Sequence, residues 1–311
     1  MNKLQAPFPW FGGKSRVADL VWSRIGNVPN YVEPFFGSGA VMFGRPHAPG
    51  IETINDKDGM VANFWRAVAL YPADVTKHAD WPVCENDLHA RHAWLVSIKD
   101  DFAGRLEGDP NFCDPHVAGW WVWGICAWTG GGWCSGRGPW SPVDGKLVKG
   151  AASPGIKRQR PALGNGGMGI HRKNVSVSDW IDALSKRMRR VRVCCGDWSR
   201  IMRPSVTFRH GLTGVLLDPP YGDVLRDKDI YACDDLAVSR DVNTWCADNG
   251  SNKNLRIALC GYAGEHDNLE EMGWDCIAWK ASGGYGNQGG RVNVNASKER
   301  IWFSPSCADV S

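Results

Sequence analysis

The chain has 311 residues, 43% hydrophobic and 22% charged, which suits one large domain or two modest ones whose core needs no cross-links. Its best apolar run, 118–128, has 11 residues against the roughly 18 of a membrane helix, the opening MNKLQAPFPWFGGK has no secretion signal, and eleven scattered cysteines without a C-x-x-C pair argue against a disulfide framework or zinc finger. Net charge is only +3, yet residues 146–210 hold 15 Lys+Arg against three acids, a local +12 that predicts a polyanion-binding face.

In chain order, Ser15 is expected to cap a helix over 16–25 that Gly26 closes. A strand over 31–33 ends at Pro34 and a second, over 52–55, ends at Asp56. Apolar residues at Met60, Val61, Phe64, Trp65 and Val68 predict a helix over 58–71 that stops before Pro72. Residues 85–99 and 114–128 read as helices, with His89 and His92 as surface histidines lacking a third metal ligand. The stretch 129–175 is Gly/Pro-rich, basic and aperiodic. An amphipathic helix starts at Ser178, with Lys186, Arg187, Arg189 and Arg190 as its solvated face, and the strand VRVCC follows. A strand over 214–217 ends at Asp218, then come a helix over 234–249 and strands over 255–260, around 274–279 and over 300–303. Strand-helix alternation at both ends, with a long aperiodic middle, predicts an α/β sheet carrying an insertion.

Three strand ends carry unusual residues. In Glu33-Pro34-Phe35-Phe36-Gly37-Ser38-Gly39, glycines follow a strand and precede a helix, either for close approach of a ligand to backbone or as a plain turn. Asp56, about 20 residues after those glycines, is placed to accept ribose hydroxyls or to cap the next helix. The third, Asp218-Pro219-Pro220-Tyr221, follows an apolar strand; its prolines fix φ and remove N–H donors, so carbonyls and carboxylate are held rigidly at the sheet's edge.

Together these residues resemble the Dam-like adenine-N6 DNA methyltransferases, whose catalytic motif is Asp-Pro-Pro-Tyr. Trp10 to Lys14 is similar to the family's W-x-G-G-K opening, residues 33–39 to its V-E-P-F-x-G-x-G loop, Gly196-Asp197-Trp198 to its G-D-aromatic segment, and residues 299–305 to phage-type members. The resemblance implies a Rossmann-like, S-adenosylmethionine-dependent methyltransferase sheet over 1–75 and 176–311. A mostly helical and loop target-recognition region is inserted over 76–175. It implies a catalytic Asp218, Pro219, Pro220 and Tyr221, and a cofactor pocket from Trp10, Lys14, Phe35, Gly37, Gly39, Asp56, Asp197 and Trp198.

The chemistry follows from the substrate. The N6 lone pair of adenine is delocalised into the ring, so Asp218 would accept one N6–H and the Pro219 carbonyl the other, turning the lone pair toward the methyl donor. Tyr221 would stack on a base flipped out of double-stranded DNA. Arg137, Lys157, Arg158, Arg160, Arg172 and Lys173 are candidates for DNA contact, Arg137 to a guanine edge and the others to phosphates. Of the six tryptophans between 120 and 140, Trp120, Trp121 and Trp123 are expected to pack the insertion on the catalytic fold, and Trp133 and Trp140 to meet DNA. The expectation is a solitary cytoplasmic bacterial enzyme, phage- or prophage-encoded, needing no metal, membrane or obligatory protein partner. Methylation of another amine (cytosine N4 or RNA) and an inactive DNA-binding relative are the alternatives.

Overall fold

The computed structural model describes residues 4–10, 12–109, 111–128, 133–134, 140–143, 146–149, 176–221, 236–279 and 298–308. Nine strands are assigned among them: β1 (Asn30–Glu33), β2 (Ile51–Asp56), β3 (Trp140–Val143), β4 (Lys146–Lys149), β5 (Val191–Cys195), β6 (Thr213–Leu217), β7 (Leu255–Tyr262), β8 (Asp275–Ala278) and β9 (Glu299–Phe303). Seven form one sheet in the order β5-β2-β1-β6-β7-β9-β8, with antiparallel pairing only where β9 meets β7 and β8. All five residues of β6 are buried, as expected of a central parallel strand covered on both faces. Chain order reverses between β1 and β6, and open α/β sheets bind ligands beyond the carboxyl ends of the strands at such a switch point.

The helices are α1 (Ala18–Ile25), α2 (Ala40–Phe43), α3 (Gly59–Leu70), α4 (Pro72–Ala79), α5 (Glu85–Gly108), α6 (Pro115–Ala127), α7 (Val177–Met188) and α8 (Leu236–Asn249). Side-chain alternation along the strands divides the core. Tyr31, Leu216, Ala258 and Cys260 pack with residues of α1, α3, α4, α6 and α7, whereas Val32, Val215, Leu217, Ile257 and Leu259 pack with Val238 and Val242 of α8. Phe102 and Leu106 of α5 and Val117, Trp121 and Val122 of α6 belong to the first of these clusters, so both helices share the core of the sheet.

Several elements differ from the sequence expectation. Helix α1 begins at Ala18 behind Val17, with no side-chain cap, because the Val17 N–H closes a turn on the Lys14 carbonyl 3.1 Å away and Ser15 falls inside that turn. Pro72 does not end helical structure but opens α4, since a missing N–H costs nothing in a first turn. Helix α5 continues to Gly108 because Leu95, Phe102 and Leu106 keep it against the core. Ser176, accepting from the Asp179 N–H at 3.0 Å, starts α7 at Val177. The antiparallel pair β3–β4 lies within the stretch expected to be aperiodic, its four-residue strands being too short to show a period.

Two polar residues expected on the surface turn inward, His92 buried and Arg187 half-buried. The His92 ring lies almost parallel to Trp128 at 4.7 Å and accepts the Cys134 N–H at 3.2 Å; burial first, then nearby His89, lower its pKa to about 4. Arg187 reaches back from α7 to Glu52 on β2. The tryptophan cluster is mostly internal. Trp121 meets Phe8 edge-on at 4.9 Å, and Trp123 donates to the Trp81 carbonyl at 2.8 Å. Trp133, expected to meet DNA, instead packs across Gly124, where any Cβ would strike its indole, and donates to the Trp121 carbonyl at 3.1 Å. Among the described residues no helix is long and apolar enough to cross a membrane, and no cluster of His, Cys, Asp and Glu could hold a metal ion.

Candidate active site

The carboxyl ends of β1, β2 and β5 are tied to one another by the residues that follow them. Gly37, at φ +48°, donates its N–H to Asp56 Oδ2 at 2.9 Å and accepts from the Trp65 indole at 2.9 Å. Its bare α-carbon lies under the Trp10 indole, which any side chain would strike, so this glycine serves an aromatic lid as well as the turn. Gly39, at φ +70°, begins α2 where a Cβ would collide with Phe36 and Phe43. Asn55 donates to the carbonyls of Pro34 at 3.1 Å and Gly196 at 2.9 Å, while its Oδ1 is buried without a partner among the described residues.

Asp56 does not cap α3; Asp58 does, accepting from the Met60 N–H at 2.8 Å. Asp56 Oδ1 takes the Asp58 N–H at 2.9 Å. Burial pushes the Asp56 carboxyl up to about 7, with help from the Asp58 charge, although the two backbone donors oppose the shift. Across the loop, the rings of Phe35 and Trp198 lie 6.1 Å apart at 28°. Asp197 is exposed and caps the short 3-10 turn Trp198–Ile201, accepting the Ser199 N–H at 2.9 Å.

A second cluster sits at the end of β6. Lys14, 5% exposed, places its three ammonium donors on Asp218 Oδ1 at 2.8 Å, the Tyr221 hydroxyl at 2.9 Å and the Gly12 carbonyl at 2.8 Å. The Tyr221 hydroxyl has one proton to offer two carboxylates, Glu299 Oε2 at 2.9 Å and Asp218 Oδ1 at 3.1 Å. No described residue bonds Asp218 Oδ2. Tyr221 is buried, with its ring edge-on to Tyr262 at 4.5 Å. Burial first, then the nearby acids, raise Glu299, with Lys14 opposing. Glu33, bonded to the Tyr31 hydroxyl at 2.9 Å, is raised well above the usual carboxylate range, chiefly by burial. The turn 10–14 spans both clusters, since Trp10 covers Gly37 and Lys14 holds Asp218.

The family model of the D12 class N6 adenine-specific DNA methyltransferases matches residues 10–90. The match covers about a quarter of the chain, and in that segment the chain is similar to DNA adenine-N6 methyltransferases of the D12 class. No curated protein matches the chain. The matched segment runs from Trp10 through Lys14, residues 33–39 and Asp56 into α5. The seven-stranded α/β sheet is consistent with the Rossmann-like fold expected from the sequence. Enzymes of this family methylate DNA, and methyltransferases in general use S-adenosylmethionine.

The expected site residues thus fall into two adjoining groups, Trp10, Phe35, Gly37, Gly39, Asp56, Asp197 and Trp198 along the ends of β1, β2 and β5, and Lys14, Asp218 and Tyr221 beyond β6. Arg137, Lys157, Arg158, Arg160, Arg172 and Lys173 lie outside the described residues, as does the Gly-rich loop 282–290. The two groups are joined by residues to which the sequence assigned no role in the site. Glu33 and Glu299 are buried acids at the ends of strands that carry Tyr31-Val32 and Ile301-Trp302-Phe303, and a buried charge calls for a partner. Tyr262 had no sequence signal.

Proposed function

We propose that the protein is a DNA adenine-N6 methyltransferase that transfers the methyl group of S-adenosylmethionine to N6 of an adenine flipped out of double-stranded DNA, at Asp218-Pro219-Pro220-Tyr221. The observation that carries this is Asp218 at the switch point, with Oδ1 fixed by Lys14 and Tyr221 and Oδ2 left to receive a donor. The strand ends beside it suit the cofactor. Asp56 offers a carboxylate to a ribose diol, Phe35 and Trp198 offer aromatic surface to a purine, and buried Asn55 Oδ1 is an acceptor without a partner among the described residues. When bound, S-adenosylmethionine supplies an electrophilic methyl on a sulfonium.

Asp218 Oδ2 accepts one N6–H and the Pro219 carbonyl the other, which draws the amine toward tetrahedral geometry and frees its lone pair. Lys14 keeps Asp218 in position for this throughout. The Tyr221 ring faces the base, braced from behind by Tyr262. Residues 76–175 serve target recognition, with Arg137 reading a base edge and Lys157, Arg158, Arg160, Arg172 and Lys173 on phosphates. The division into a catalytic domain over 1–75 and 176–311 and an inserted region describes this division of labour, while α5 and α6 stay in the common core.

The test is transfer of a labelled methyl from S-adenosylmethionine to unmethylated duplex DNA, followed by nucleoside analysis. Label in N6-methyladenine is expected. Label confined to cytosine or RNA, or no label from protein that still binds the cofactor, would overturn the reading.

Cofactor affinity is expected to depend on pH through Asp56. A ribose diol donates to the ionised carboxylate, so binding favours the deprotonated form of a group whose pKa is about 7. Affinity for S-adenosylhomocysteine should rise about tenfold from pH 6 to pH 8, with uptake of ligand releasing a proton at the acid end. Calorimetric titration in buffers of different ionisation enthalpy measures both quantities. A response that Asp56→Asn leaves unchanged would show that another group titrates.

A further inference from the structure

The geometry points to Glu299 as the acceptor of the proton that leaves the substrate amine, reached from Asp218 through the Tyr221 hydroxyl; this rests on the reading of Asp218 as the group that holds that amine. Three oxygens lie in series. Asp218 Oδ1 is 3.1 Å from the Tyr221 hydroxyl, which is 2.9 Å from Glu299 Oε2. Both links are within hydrogen-bond reach, the range required for proton transfer. A hydroxyl can pass a proton along such a line, since it donates one hydrogen and accepts others. Lys14 donates to that hydroxyl at 2.9 Å, and both carboxylates lie within reach of the hydroxyl's own proton.

The surroundings suit an acceptor. Glu299 opens the antiparallel strand β9, opposite Tyr262 of β7, and is 5% exposed. The charged and titratable groups facing it are Lys14, Tyr221, Asp218, Glu265 and Cys260, so one cation is shared among three acids. Burial raises its carboxyl, and a base poised nearer neutrality than an ordinary glutamate accepts a proton with greater driving force.

The step balances. The amine lone pair forms the N–C bond to the methyl as the methyl's bond to sulfur breaks, with its electron pair left on sulfur. The amine now carries one proton too many. That proton passes to Asp218 Oδ2; a half-turn of the carboxyl about Cβ–Cγ brings the protonated oxygen against Tyr221 and leaves the other for Lys14, and the proton then passes to the Tyr221 oxygen as the Tyr221 proton passes to Glu299. Asp218 and Tyr221 end as they began, Glu299 ends protonated, and solvent exchange restores it after product leaves. Glu299 touches neither substrate nor cofactor and is a positioning residue acting through Tyr221.

Three variants test this: Glu299→Gln, Tyr221→Phe, which keeps the ring and removes only the O–H, and the pair together. Wild-type kcat is expected to fall at acid pH as Glu299 becomes protonated, and each variant to lose that acid limb with kcat about tenfold lower at neutral pH. The double variant should cost no more than either single one, and Glu299→Asp should restore part of the limb. Infrared difference spectra of the protein without cofactor supply a readout besides activity: beside the protonated-carboxyl bands of Asp56 and Glu33, one further titrating band is expected in wild type that vanishes in Glu299→Gln and persists in Asp218→Asn. An unchanged acid limb or additive losses in the double variant would overturn the relay, as would persistence of that further band in Glu299→Gln. Full transfer by an Asp218→Ala protein would instead overturn the reading of Asp218 on which the relay stands.

Discussion

Asp218→Ala is expected to abolish measurable methyl transfer, with kcat down by about 10³-fold and affinity for S-adenosylhomocysteine changed less than about threefold. The reasoning is geometric. Asp218 follows a strand with all five residues buried, and two prolines fix the chain just beyond it, so its carboxylate is delivered by the most rigid part of the sheet. Lys14 and Tyr221 occupy Oδ1, and Oδ2 remains for the amine. Alanine removes the acceptor that reshapes N6 and frees the Lys14 ammonium to turn toward Glu299. Asp218→Asn is expected to do nearly as much harm for a different reason. Lys14 and Tyr221 would hold the amide oxygen, which turns the amide NH2 toward a substrate amine that also donates. A radiolabel assay with both variants, and separate cofactor titrations, checks this; an Asp218→Asn protein within tenfold of wild type would show that the carboxylate is not what orients N6.

How far the sequence announced this site varied with the distance between partners along the chain. The strand ends were legible because apolar runs break at residues with their own chemistry: Glu33-Pro34 after β1, Asp56 at the end of β2, Asp218-Pro219 after β6. Those breaks also gave the switch point, since a doubly wound sheet leaves few places for three such ends to meet. Element boundaries drifted where the cap was set by tertiary geometry, as at Val17, or where helical periodicity was weak, as over 100–108 of α5. What stayed hidden were pairings between distant residues. Lys14 and Asp218 are 204 positions apart, and Tyr221 and Glu299 are 78 apart. Neither pairing leaves a local period. His92 was misread for the same reason, because its Trp128 and Cys134 neighbours come from beyond α5.

Glu52→Ala is expected to cost about 3–5 kcal/mol of stability and to lower Tm by roughly 10 °C. Glu52 is 1% exposed on β2, and two arginines from opposite directions neutralise it. Arg187 of α7 makes a two-pronged pair, Nη1 to Oε2 at 2.5 Å and Nη2 to Oε1 at 2.8 Å, while Arg45, beyond α2, bonds Oε1 at 3.1 Å. Arg45 also donates to the Val28 carbonyl at 2.6 Å and lies over the Trp22 ring, so it cannot leave without breaking those contacts. Truncating the glutamate therefore strands guanidinium charge in the interior, and that penalty exceeds the net value of the intact pair, whose own desolvation cost is large. Glu52→Gln should fall between, because its oxygen still accepts one arginine while the charge is lost. Arg187→Met, which removes the more exposed partner and keeps the stem packed, should cost least of the three. Chemical denaturation ranks them. If Glu52→Ala proved as stable as wild type, the triad would be an incidental surface cluster rather than the tie between α7, β2 and the chain after α2. The same tie holds β2, and with it Asp56, against the rest of the sheet, so the destabilised variant should also bind S-adenosylhomocysteine more weakly near its melting range than well below it.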